Sequence, residues 1–191
     1  MKTLRPFVSL ISPLLLLVGC LPVWTAGEVP FVPTPPEVID RMLELAEVKK
    51  GDVVYDLGSG DGRIVIRAAK KYGVRGVGIE IDPDLVRRSR LKAGDEGVGD
   101  LVEFRDQDAL TVDVSPATVV TLYMLPDFNA KLRPIFERQL RPGSRVVSHD
   151  FLIEGWTPHT VEKIEGRWYH THHLSVEDTV SPFAFIGKGF Q

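Results

Sequence analysis

Cysteine is nearly absent from this chain. Cys20 is the only one, so no disulfide can form within the molecule. Side-chain amides are almost as scarce, with one asparagine, Asn129, and three glutamines. A shortage of heat-labile amides fits a thermophilic source, and it fits the bias of a short chain almost as well. Positive charge is not in excess: 23 Lys and Arg against 26 Asp and Glu leave a net charge of −3. Binding a polyanion would call for a basic patch, so no nucleic-acid partner is expected. Internal repeats are lacking, as is any uninterrupted apolar run long enough to span a bilayer. What is present is an ordinary globular composition, and a length of 191 residues suits one domain with a sizeable core.

The first twenty residues stand apart. Lys2 and Arg5 precede an apolar run from Phe7 to Gly19, broken by Ser9, Ser12 and Pro13. A basic start, a short apolar stretch and a small residue at its end mark a secretory signal. Leu17-Val18-Gly19-Cys20 also resembles the lipobox of bacterial lipoproteins, in which the cysteine carries lipid. Residues 1–20 are therefore expected to be a signal peptide, a lipoprotein signal or a membrane anchor. The protein would be exported or membrane-associated through them, and otherwise cytoplasmic. Residues 21–33 form a proline-rich linker, and the folded domain is expected over 34–191.

The centre of that domain is Val53-Val54-Tyr55-Asp56-Leu57-Gly58-Ser59-Gly60-Asp61-Gly62-Arg63-Ile64. A β-branched apolar run ends in a carboxylate, three glycines follow at alternate positions, and a helix-periodic segment comes next. The pattern predicts strand, tight turn and helix. Glycine accepts positive φ and has no Cβ to block a ligand, and the helix N-terminus beyond offers unpaired N–H groups. The spacing G-x-G-x-G is not that of a dinucleotide fingerprint. A second strand, Gly76-Val77-Gly78-Ile79-Glu80, ends in an acid about 20 residues on, as a nucleotide-binding βαβ unit requires. Glu80 is placed to accept both hydroxyls of a ribose.

The rest of the chain keeps this alternation. Thr34-Pro35-Pro36-Glu37 predicts a helix start with Thr34 as N-cap, Pro35 at the first helical position and Glu37 closing a capping box. That helix is expected to end at Lys50-Gly51-Asp52. Asp82-Pro83 opens another helix. Leu101–Arg105 and Ala117–Leu122 read as strands, Asn129–Leu140 as a helix, and Arg145–Ser148 as a strand. Asp108 follows the third strand, where it serves equally as a turn residue or as an acceptor for a ligand. Beyond Trp156 the period shifts to two. Strands are expected over Thr160–Ile164, Trp168–Leu174 and Phe183–Ile186, with a hairpin turn at Glu165-Gly166. His170 and His172 would share a strand face, without an acid or cysteine near in sequence, so no metal site is expected. His149 and Asp150 follow the fifth strand at its carboxyl end, either bordering a substrate entrance or forming a structural turn.

The glycine loop with its two strand-terminal acids resembles the S-adenosylmethionine (SAM) site of class I methyltransferases. Val29-Pro30-Phe31-Val32-Pro33-Thr34-Pro35, the 55–64 loop, Gly78-Ile79-Glu80 and Arg145-Val146-Val147-Ser148-His149-Asp150-Phe151 together resemble the small archaeal protein-lysine methyltransferases. The mitochondrial lysine methyltransferases that modify an ATP synthase subunit are similar too. The resemblance runs from Val29 to the C-terminal strands and leaves residues 1–28 outside. It implies an α/β, Rossmann-like class I methyltransferase fold: a mainly parallel twisted sheet, helices on both faces and antiparallel C-terminal strands.

The same resemblance implies roles for residues. Asp56, Gly58, Ser59, Gly60 and Gly62 would form the methionine and ribose side of the SAM site. Glu80 would hold the ribose hydroxyls, Ile81 would lie against adenine, and Asp108 and Ala109 would hold its edge. Pro30, Phe31, Val32, Pro33 and Thr34 would cover the cofactor as one wall of a substrate channel. Leu122, Tyr123 and Met124 would form its floor, with Tyr123 orienting the amine or simply walling the channel. Methyltransferases acting on amides or bases often carry a polar Asn/Asp-Pro-Pro-aromatic motif here. This chain has Leu122-Tyr123-Met124-Leu125-Pro126. The expected activity is therefore SAM-dependent methylation of protein lysine. Two alternatives stay open: a small-molecule amine or other acceptor, and an exported binding module that has lost turnover.

Overall fold

The structure is a computed structural model, and it describes residues 31–164, 167–173 and 183–185. Four helices and eight strands are described: α1 (Pro36–Leu45), β1 (Val53–Leu57), α2 (Arg63–Tyr72), β2 (Arg75–Glu80), α3 (Pro83–Asp95), β3 (Val102–Asp106), β4 (Val119–Leu122), α4 (Pro126–Gln139), β5 (Arg145–His149), β6 (Pro158–Ile164), β7 (Arg167–His173) and β8 (Phe183–Phe185). They form one sheet in the order β3-β2-β1-β4-β5-β7-β6-β8. Strands β1 to β5 are all parallel. β7 runs antiparallel to both β5 and β6. β8 runs parallel to β6, so the expected antiparallel character of the C-terminal strands belongs to β7.

The central strands are apolar on both sides because helices cover both faces. Successive side chains of β1 alternate between two cores. Val54 joins Val38, Met42, Leu43, Ile64 and Val65 under α1 and α2. Tyr55 and Leu57 join Ile79, Val120, Leu122, Leu132 and Phe136 on the α4 side. Strand order reverses between β1 and β4, and in open α/β sheets the crevice beyond the carboxyl ends at such a switch is where ligands bind.

Several boundaries differ from the sequence expectation for local reasons. Pro35, not Thr34, is the N-cap of α1, with φ −61°, ψ 148° and no side-chain cap bond. The ring of Pro36 forces the residue before it out of helical geometry, so the helix cannot begin at Pro35. α1 ends at Leu45, before Lys50, because Glu47 takes a positive φ of 48°. α4 begins earlier than Asn129, at Pro126, a residue suited to a first turn. The expected turn at Glu165-Gly166, the segment 1–20 and Pro30 lie outside the described residues. Among the described residues no helix is long and apolar enough to cross a membrane.

Candidate active site

The glycine loop is fixed to β2 by its own backbone. Gly58 and Ser59 both donate N–H to the Ile79 carbonyl at 2.9 Å. Glu80 ties down the next turn: Oε2 accepts from Gly60 N at 2.8 Å, and Oε1 accepts from Ile81 N at 2.9 Å and Asp82 N at 3.0 Å. An ionised carboxylate has about four acceptor sites, so three bonds leave it room for another donor. Gly60 has φ 54°, and a Cβ built there would stand 2.3 Å from the Phe31 ring. A Cβ on Gly58 would stand 2.6 Å from Met124 Sδ. These glycines keep the loop thin between a wall and a floor.

Above the loop lies a cavity of about 830 Å³. That is the size range of small-molecule and cofactor sites. Asp56, Gly58, Ser59, Gly60, Glu80, Ile81, Asp108 and Ala109 all line it, so eight of the nine expected cofactor residues are brought together. Gly62 is the exception. It caps α2 at φ 75°, and a Cβ there would collide with Phe104 at 2.4 Å. Its neighbours are packing side chains of β3 and α3, Phe104 and Ser89. Sequence reasoning missed Leu85 and Gln107, which also line the cavity. Asp108 closes a turn, Oδ1 accepting from Leu110 N at 2.9 Å, and also lines the cavity.

Phe31, Val32, Pro33 and Thr34 wall one side of the cavity. Arg63 Nη1 donates to the Thr34 carbonyl at 3.0 Å. Arg63 is held in turn by a two-point bond to Asp61, through Nε at 2.7 Å and Nη2 at 2.9 Å. Lys92 reaches the same carboxylate at 2.9 Å. Burial pushes the Asp61 carboxyl up, but Arg63 and Lys92 outweigh it and hold it below its ordinary value.

Tyr123, Met124, Leu125, Phe128 and Phe151 line the same cavity and form an apolar chamber in it. Leu122 is not among them. It is fully buried in the α4-side core, because the strand's alternation turns it away from its neighbour Tyr123. The Tyr123 ring stacks on His149 at 3.9 Å between centroids, and its hydroxyl donates to Asp150 Oδ2 at 3.3 Å. His149 does not border the entrance. It is fully buried, and Nδ1 lies 3.4 Å from Thr34 Oγ1.

Asp56 is a buried acid at the end of β1. It is 2% exposed, and Thr121 Oγ1 donates to it at 2.7 Å. Burial pushes its carboxyl up to about 7, against the Thr121 bond and with help from the charges of Glu80 and Asp61. A cationic ligand would compensate a buried carboxylate here. Four apolar residues of the rim, Phe31, Val32, Ile81 and Leu125, are exposed by 43–69%. Exposed apolar surface around a concave site marks a place that something covers. The cradle, the acids and the apolar rim together fit a cofactor with a cationic amino acid part, a ribose and a flat base.

Comparison with known proteins decides the family. Residues 56–160 match the model of the ANTKMT methyltransferase domain. The chain belongs to the ANTKMT methyltransferase family. A protein-lysine N-methyltransferase of Saccharolobus islandicus (strain REY15A) is 47% identical over 78% of this chain and 93% of its own length. A human lysine N-methyltransferase named for an ATP synthase subunit is 38% identical over 73% of this chain, which spans 60% of that protein. A crystal structure described as an RNA methyltransferase of Salinibacter ruber, in complex with S-adenosyl-L-homocysteine, is 57% identical. It superposes with a TM-score of 0.74 and covers 78% of this chain and 100% of its own. This methyltransferase is thus a class I, SAM-dependent enzyme with a Rossmann-like fold.

Proposed function

We propose that this methyltransferase moves the methyl group of SAM to the ε-amine of lysine in a protein substrate. The observation that carries the reading is the apolar chamber of Tyr123, Met124, Leu125, Phe128 and Phe151 at the methyl end. A neutral amine must attack, and an apolar chamber disfavours the ammonium form. The relatives named as lysine methyltransferases support the same reading. When bound, SAM supplies an activated methyl group on a sulfonium. The chain supplies position. Glu80 takes the ribose hydroxyls, Ile81, Asp108 and Ala109 hold the base, and Asp56 with the Gly58–Gly60 turn faces the methionine part. Phe31–Thr34 closes over it and keeps water out. Fixing both reactants in line removes a large entropic part of the barrier.

The description of the Salinibacter ruber relative favours a second reading, transfer to RNA. The net charge of −3 weighs against it. Incubating the enzyme with methyl-labelled SAM, a mixed protein extract and total RNA separates the two. Label on lysine after protein hydrolysis is the expected result. Label confined to nucleosides would replace the reading, and label in neither pool would favour a small acceptor. Residues 1–20 belong to the proposal as an export or anchoring segment, and 21–33 as a linker that ends in the cofactor cover. N-terminal sequencing and the intact mass of the protein from its native cells test both.

A further inference from the structure

We propose that Asp150 is the proton acceptor for the substrate amine, reached through the Tyr123 hydroxyl; this rests on the amine-methylating reading above. A lysine side chain is about 99.9% protonated at pH 7, so a proton must leave before the nitrogen can attack. An apolar chamber favours the neutral form but gives the proton no destination. Tyr123 faces the chamber, and its hydroxyl hydrogen is directed at Asp150 Oδ2. A phenolic oxygen that donates its hydrogen can still accept from an N–H in the chamber. The bond is long at 3.3 Å, as catalytic hydrogen bonds often are before substrate binds.

The backbone at Asp150 points the same way. Asp150 has φ 61°, and Phe151 N donates to the His149 carbonyl at 2.8 Å across it. This is a γ-turn of the strained, positive-φ hand. Such strain persists only where the surroundings enforce it, and it gathers at functional sites. The enforcement is visible. Ser148 Oγ donates to the Phe151 carbonyl at 2.7 Å, and Asn129 Nδ2 lies 3.3 Å from the carbonyls of both Phe151 and Leu152. The sole asparagine of the chain is fully buried here, bracing the turn from α4. His149 carries the Tyr123 ring from below and Thr34 touches His149, so the cofactor cover and the hydroxyl are set by one stack.

The transfer balances simply. An ammonium N–H bond breaks as a Tyr123 O–H bond forms, while the former Tyr123 proton passes to Asp150. The amine lone pair then attacks the methyl carbon, and the pair of the breaking bond stays on sulfur. The side chain of Asp150 is 16% exposed and returns the proton to solvent, whereas that of His149 is fully enclosed. Among the described side chains, two ionisable groups face Asp150 Oδ2, the Tyr123 hydroxyl at 3.3 Å and His149 Nε2 at 3.5 Å; Tyr169 and His170 of β7 occupy the register positions opposite His149 and Ser148.

The test uses full-length enzyme with a methylatable lysine protein, in Asp150→Asn and Tyr123→Phe variants. Asparagine tolerates positive φ as aspartate does, so the turn is kept. Phenylalanine keeps the stack on His149. The expected result is a fall in kcat of about 100-fold near pH 7, the lower end for lost proton transfer. The deficit should shrink as pH rises and solution supplies neutral amine. SAM affinity should stay within about twofold, and the double variant should be no slower than the worse single one, as for groups acting as a unit. A wild-type pH–rate profile in both variants overturns the proposal. So does an equal loss at every pH, which is the mark of a merely structural role. Should Asp150→Asn fail to fold, Tyr123→Phe alone decides by the same criteria. Failure of the amine reading itself looks different: wild-type enzyme labels no amine at all, and the relay falls with it.

Discussion

Two acids at strand ends carry the cofactor proposal, and each gives a prediction. Glu80 should lose most when truncated: Glu80→Ala removes the ribose acceptor and frees Gly60 N. A lost hydrogen bond to a charged group is worth about 1.5–3 kcal/mol, so SAM affinity should fall about tenfold or more in a folded variant. Calorimetry with circular dichroism checks this, and unchanged affinity would defeat the ribose assignment. Asp56 behaves differently because its carboxyl is raised from 3.8 to about 7, chiefly by burial. A raised carboxyl favours the folded state while it is protonated. That contribution is whole below the unfolded value and is lost as pH rises through about 7. Ligand-free wild type should therefore lose Tm between pH 5 and pH 8 relative to Asp56→Asn. A cationic ligand favours the ionised form, so SAM binding just below pH 7 should release protons, seen as a buffer-dependent heat. Parallel melting curves for the two proteins would show that Asp56 titrates normally. Both acids were legible in the sequence because a strand that ends in an acid at a switch point leaves few places to go. The Tyr123–Asp150–His149–Thr34 stack was not legible as a unit, since Thr34 and His149 lie 115 residues apart and only the fold joins them.

Elements were legible wherever period and punctuation agreed. β1, β2 and α2 fell where the apolar runs and glycines put them, and Asp82 caps α3 by accepting from Asp84 N and Leu85 N. The misses have one cause each. Consecutive prolines moved the α1 cap, and in the continuous apolar run of β4 nothing in the sequence told Leu122 from Tyr123 by face. Gly62 was grouped with the cofactor glycines because all three share a spacing, yet its neighbours separate it. The separation can be measured. Gly62→Ala meets both a positive φ and the Phe104 ring, and should cost about 1–3 kcal/mol of stability, as strained overpacking does. The affinity of the folded fraction for SAM should hardly change. Gly60→Ala shares the positive-φ cost, but the side chain it meets, Phe31, can swing aside, so it should cost less stability than Gly62→Ala and weaken SAM binding more. Thermal melts and calorimetry on the two variants should give opposite rankings; the same ranking in both assays would mean that the glycines share one role.

At the scale of the molecule, the active site is assembled from the start and the middle of the described chain. β1, β2 and the turns beyond them make the cradle, while Phe31–Thr34, which precedes every described helix and strand, makes the wall. The wall is held by side-chain and carbonyl contacts, Thr34 to His149 and Arg63 to Thr34, with no strand ladder of its own. It adds little to the two cores, since α1 to β5 supply nearly all of their buried side chains. Stability and binding should therefore part company on truncation. A chain starting at residue 27 should melt like the full-length protein and bind SAM with the same affinity, because every described cavity residue is retained. A chain starting at residue 36 should still fold, with a small loss of Tm. Its SAM affinity should drop by about tenfold or more, because burying a side chain the size of Phe31 or Val32 is worth about 1.5–3 kcal/mol. Equal affinity in the two truncations would show that the segment only rests on the cavity. Loss of binding in the longer one would mean that residues before 27 reach the site. The expected outcome, loss on removing 27–35 alone, would make the wall part of the enzyme and leave residues 1–26 to location.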